Sequence, residues 1–97
     1  MYRGMRVKVK TFATLRDITG GIIHDIEVRD GSKLRDVLEE VFNLYPDLRD
    51  EVLDDEGSLK SGYRLLVNGR EATHIGGFDL EVKDGDVIAL FPPVAGG

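Results

Sequence analysis

The sequence predicts an α+β domain in which a mixed sheet packs against one main helix, and three features predict it. Two segments near the N-terminus carry strand patterning. A single long stretch of helical periodicity follows them. The last apolar run of the chain is a strand interrupted by two prolines. With 97 residues the chain has room for one domain, and its 41% apolar content is enough for one modest core.

The first strand is expected over residues 5–12, where Met5, Val7, Val9 and Thr11 alternate with charged residues at the period of a half-buried strand. Residues 12–19 read as a loop or a short helical turn, and Gly20-Gly21 breaks the chain. A second strand follows over 22–28 with Ile26 and Val28 on one face, close enough to the first to form an antiparallel pair. After the turn at Asp30-Gly31, Ser32 is placed to cap a helix. In that helix Leu34, Val37, Leu38, Val41 and Tyr45 form one apolar stripe, while Glu39, Glu40 and Asn43 fall on the wet side. Pro46 disfavours helical backbone at Tyr45 and ends it.

Residues 47–53 suggest a second short helix with Leu48 and Val52 inward, followed by an acidic turn over 54–58. Residues 63–67 form a strand, and Asn68-Gly69 is the pair that suits a two-residue hairpin needing positive φ at both positions. The return strand starts at Arg70, residues 73–77 are looser, and Asp84-Gly85-Asp86 turns into the run 87–91. That run is apolar throughout and suits a central strand buried on both sides. The simplest closure of this order is the β-grasp arrangement, with the last strand parallel to the first at the centre of the sheet.

Composition excludes several functions. A net charge of −5 without a basic stripe argues against nucleic acid and against an anionic membrane surface as partners. Apolar runs are too short to span a bilayer and the N-terminus has no h-region, so the expected location is the cytoplasm. With no cysteine there is no disulfide, thiolate metal site or thiol nucleophile. His24 and His74 read as surface histidines, and the acidic residues of 50–56 lack the order of a calcium loop. Neither Gly20-Gly21 nor Gly76-Gly77 matches a phosphate loop, and no Ser/His/Asp set is recognisable, so catalysis by this chain alone is unsupported.

The end of the chain carries the functional signal. Residues 1–91 are expected to form the domain and 92–97 an extended tail. Pro92 and Pro93 lack N–H groups and fix φ, so the chain leaves the sheet stiff. Val94, Ala95, Gly96 and Gly97 then shrink in size to a thin tip that can extend about 13 Å. A slender carboxylate of that reach can enter another protein's pocket. Converted to an acyl-adenylate, it becomes an electrophile that sulfide or an amine can attack, with no cysteine needed in the carrier.

These residues resemble the MoaD/ThiS-type ubiquitin-like sulfur carriers, and the MoaD branch most. The resemblance runs through residues 7–13 with Leu15-Arg16 and Gly20, then 34–38 and 67–69. It ends in 85–97, Gly-Asp-Val-Ile-Ala-Leu-Phe-Pro-Pro-Val-Ala-Gly-Gly. It implies a β-grasp fold and the role of small subunit of molybdopterin synthase. On this resemblance an E1-like adenylating enzyme uses ATP to activate Gly97, and a sulfur donor protein supplies the thiocarboxylate sulfur. The tail, with Gly96 as spacer, then enters the large MoaE-like subunit. Phe12 and Phe91 would dock on both partners, and no cofactor is bound by the carrier itself. The stretch 48–63 is longer than in the shortest bacterial members. In this it is similar to archaeal relatives, some of which resemble small archaeal modifier proteins attached to target-protein lysines. Three readings stay open: sulfur carrier, protein modifier, and β-grasp interaction domain without terminal chemistry.

Overall fold

The computed structural model describes residues 4–93. Strand β1 (Gly4–Thr11) buries Met5, Val7, Val9 and Thr11 and turns Arg6 and Lys8 to water, as its alternation requires. Helix α1 (Thr14–Thr19) occupies the first connection and buries Leu15 and Thr19; it closes where the Gly20 N–H returns to the Arg16 carbonyl, 2.8 Å away. Strand β2 (Ile23–Arg29) runs antiparallel to β1, with Val7 opposite Ile26 and Val9 opposite His24.

Helix α2 (Leu34–Leu44) buries Leu34, Val37, Leu38, Val41 and also Phe42, while Tyr45 lies half-buried just past its end. Its cap differs from expectation. The residue before the helix is Lys33, whose N–H is received by the Asp36 carboxylate at 2.8 Å. Ser32 is excluded because its carbonyl is taken by the Val82 N–H at 3.0 Å, which ties the segment to the chain ahead of the last strand. Helix α3 (Pro46–Val52) follows at once. Pro46 stands in the first turn, where a missing N–H is harmless, and Leu48 and Val52 enter the core.

Strands β3 (Arg64–Val67) and β4 (Arg70–Glu71) form the expected hairpin, with Leu66 opposite Glu71 and Val67 opposite Arg70. Asn68 and Gly69 have φ of 51° and 84°, the positive values such a turn needs. Asn68 does more than turn the chain: its side chain accepts the Val87 N–H at 2.9 Å and donates to Asp86 at 3.0 Å. Two short 3₁₀ turns, Ala72–His74 and Gly77–Asp79, precede β5 (Val87–Phe91).

The strand order is β2-β1-β5-β3-β4, with β5 parallel to β1 and antiparallel to β3. The fold is thus the ubiquitin-like β-grasp, the two end strands central as the sequence led one to expect. A second expectation fails. Strand β5 is buried on one side only: Ile88 and Leu90 are 0% and 1% exposed, while Val87, Ala89 and Phe91 are half-buried. All the helices contribute to the single core on the inner face, so the outer face of the sheet is left uncovered. His24 corrects a third expectation. It is half-buried, its Nε2 lies 3.1 Å from Thr19 Oγ1 and 3.0 Å from the Gly21 carbonyl, and its ring meets Tyr45 edge-on.

Candidate functional site

The site begins where β1 and β5 end side by side. Thr11 is opposite Leu90, and one residue further Phe12 and Phe91 stack, ring centroids 4.6 Å apart and planes 2° from parallel. Both rings are half-buried, so each keeps a face in contact with the other and leaves apolar surface open to solvent. Behind them on the outer face, Lys10, Ala89 and Leu66 form the next row across β1, β5 and β3. Ile23 stands opposite Lys10 on β2 and is 56% exposed. The result is an apolar strip of Phe12, Phe91, Ala89 and Leu66 edged by Lys8, Lys10 and Arg64.

The edging charges are partly engaged. Lys8 bonds Asp25 at 3.1 Å across β1 and β2, and Arg64 bonds Glu71 through Nε at 2.6 Å. These exposed pairs are worth little to stability and leave basic groups along the rim of the strip. Ile23 was missed in reading the sequence. Its signal was the apolar Ile22-Ile23 pair at the start of a strand whose inward residues were already assigned to Ile26 and Val28.

The backbone at Phe12 is unusual. The Phe12 carbonyl accepts the Leu15 N–H at 3.1 Å, and Ala13 between them has φ 54° and ψ −127°. That is the first central position of a type II′ turn, where glycine is the comfortable residue. Asn68 is the other non-glycine residue with positive φ among those described, and asparagine tolerates it. A strained alanine therefore sits directly beside the stacked ring.

Phe91 leads into Pro92, half-buried, and Pro93, exposed. Pro93 rests on Gly62: a Cβ added to Gly62 would lie 2.9 Å from the Pro93 Cγ and 3.0 Å from its Cβ. Of the tail residues named from the sequence, Val94, Ala95, Gly96 and Gly97 lie outside the described residues. Next to Gly62, Tyr63 donates its phenol to the Glu51 carboxylate of α3. Burial, reinforced by that hydrogen bond and by the carboxylate charge, raises the Tyr63 pKa from 10.0 to about 12.

The model of the ThiS family matches residues 9–97. The chain belongs to that family. It is 36% identical over 93 residues to small archaeal modifier protein 3 of Haloferax volcanii, covering 96% of this chain and 100% of the relative. It is 29% identical over 94 residues to the molybdopterin synthase sulfur carrier subunit of Chlamydomonas reinhardtii, covering 96% of this chain and 100% of the relative. The crystal structure of SAMP1 from Haloferax volcanii superposes with a TM-score of 0.84 at 29% identity, over 95% of this chain and 99% of that one. No helix among the described residues is long and apolar enough to cross a membrane.

Proposed function

We propose that this ThiS-family chain is a sulfur carrier and the small subunit of a molybdopterin synthase, acting in the cytoplasm through Gly97. The observation that carries the reading is the uncovered Phe12–Phe91 stack at the root of the Pro92-Pro93 exit. It gives a partner enzyme an apolar handhold beside the place where the carboxylate-bearing segment departs.

In the proposed sequence an E1-like adenylating enzyme docks on this strip. The Gly97 carboxylate attacks the α-phosphorus of ATP, forming an acyl-adenylate and releasing pyrophosphate. Sulfide from a sulfur donor protein then attacks the carbonyl carbon and AMP leaves, which gives the thiocarboxylate. The loaded chain moves to a MoaE-like large subunit, where Gly96, Ala95 and Val94 pass through a narrow entry. ATP is consumed in the partner's site.

A second reading has its own support in the 36% identity to a small archaeal modifier protein. There the attacking group is a lysine amine of a target protein, AMP leaves in the same way, and the product is an isopeptide bond. The two fates differ in mass. A thiocarboxylate is a free chain about 16 Da heavier than the carboxylate, whereas an amide leaves a branched conjugate. Intact-mass spectrometry of chain isolated from its own cells is expected to find the free, heavier form. Gly97 found mainly in isopeptide bonds, with no thiocarboxylate, would transfer the assignment to the modifier.

A further inference from the structure

The turn ahead of β3 has a residue whose bareness the fold uses. Lys60, Ser61, Gly62 and Tyr63 make a tight turn closed by the Tyr63 N–H on the Lys60 carbonyl at 3.2 Å. Gly62, third in the turn, has φ +88°. Arg64 is opposite Phe91 in the antiparallel β3–β5 ladder, so counting back two residues sets Gly62 opposite Pro93. The prolines have no N–H to continue the ladder, and the contact there is steric instead. The Pro93 ring occupies the space that any side chain on Gly62 would need.

The turn is held from behind by α3. The Lys60 N–H bonds the Val52 carbonyl and its ammonium bonds the Asp50 carbonyl, each at 2.8 Å, while Tyr63 bonds Glu51. Three successive residues at the end of α3 thus grip both ends of the turn. Helix α3 is itself anchored in the core by Leu48 and Val52, which are 0% and 1% exposed. A continuous path of fixed groups runs from the core through α3 and the turn to Pro93.

The geometry points to Gly62 as a positioning residue for the C-terminal segment, with α3 and the turn 60–63 as its buttress; this rests on the proposed role of Gly97. A partner that grips the Phe12–Phe91 strip must receive the carboxylate at a set distance and direction from that strip. Pro93 is where residues 94–97 start, and Gly62 sets where Pro93 stands. The long middle segment thereby supports the root of the segment that reacts.

The test compares Gly62→Ala with Gly57→Ala. Gly57 has φ +81° and open space around it, so both alanines carry the same backbone penalty and only the first pushes on Pro93. With the cognate E1-like adenylating enzyme and ATP, Gly62→Ala is expected to lower kcat for pyrophosphate release about tenfold or more, because a displacement near 1 Å is costly to a reacting group. KM should stay near the wild-type value, since the docking strip is untouched, and Gly57→Ala should change neither parameter. Tyr63→Phe, which loosens the grip of α3 without touching Pro93, should lower kcat to a smaller extent. In the wild-type chain a nuclear Overhauser contact should join the Gly62 α-protons to the Pro93 ring. Wild-type kcat in Gly62→Ala, an equal loss in Gly57→Ala, or absence of that contact would overturn the inference. If the wild-type chain releases no pyrophosphate, the role of Gly97 falls, and the Overhauser contact alone decides the buttress.

Discussion

Replacing Phe91 by alanine separates a docking residue from a core residue, because the structure places it between the two. Its neighbour Leu90 is 1% exposed on the inner face, whereas Phe91 is half-buried on the outer face with its main aromatic contact the stacked Phe12 ring. A fully buried phenylalanine costs about 3–5 kcal/mol on truncation to alanine. Phe91 should cost less: about 1 kcal/mol for the lost stacking and a share of its burial, roughly 1–2 kcal/mol in all. For a domain of this size that lowers Tm by roughly 5–10 °C. Binding to the adenylating enzyme should lose about 2 kcal/mol or more, roughly a thirtyfold rise in Kd. Leu90→Ala gives the opposite pattern, a loss of about 2–5 kcal/mol in stability with little change in Kd once the chain is folded. Thermal melts beside isothermal titration read both quantities. A Phe91→Ala chain that melts as far down as Leu90→Ala but binds like wild type would refute the docking role.

Three other outcomes are expected. Deleting Gly97 should leave Tm unchanged and abolish pyrophosphate release with the adenylating enzyme; equal release from the shortened chain would refute activation at Gly97. Ala13→Gly relieves the type II′ strain and should raise stability by about 1 kcal/mol after the added chain entropy is counted, seen as a higher melting temperature; a lower one would show that the alanine is not strained. The Tyr63 phenol is harder to ionise in the fold, at about 12, than its ordinary value of 10.0. The folded state therefore holds the proton more tightly, so this stabilisation is complete below pH 10 and is lost as pH rises through 12. Tyr63→Phe should flatten the fall in stability over that window, and an unchanged slope in denaturant titrations would count against the raised pKa.

Local rules were enough for the elements whose stabilisation is local. The stripe of α2, the alternation of β1 and the Asn68-Gly69 turn are each written within a few neighbouring residues, and each formed where expected. Phe42 is legible too, as the partner of Leu38 one turn on, and it is Phe42 and not Tyr45 that completes the buried face within the helix. Ser32 shows the limit of the residue-type rule: it is a good cap by composition, yet its carbonyl is committed to Val82 fifty residues away in sequence and the helix starts one residue later. The apolar run of β5 could not reveal that one of its faces is bare, because burial by the chain's own helix and burial by a partner leave the same pattern. His24 and Gly62 were hidden for a related reason: His24 meets the Tyr45 ring at the end of α2, and Gly62 meets Pro93 from a distant turn.

Carrier and modifier readings divide on a choice that this chain does not make. Both pass through the same acyl-adenylate, and the attacking group, sulfide or lysine amine, comes from another molecule. The chain itself has no cysteine to compete for the adenylate. On the proposed reading, what it controls is delivery: the Phe12–Phe91 stack would set which surfaces it meets, and the Gly62–Pro93 contact would set where the reacting segment starts. On that reading one delivery apparatus would serve either fate in a chain that is similar both to an archaeal modifier protein and to a molybdopterin synthase sulfur carrier subunit. On this argument the fate of Gly97 is decided by the partner that occupies the strip after activation. Substitutions on the rim, at Lys10, Arg64 or Ile23, should then shift the balance between thiocarboxylate and conjugate without altering adenylation in proportion.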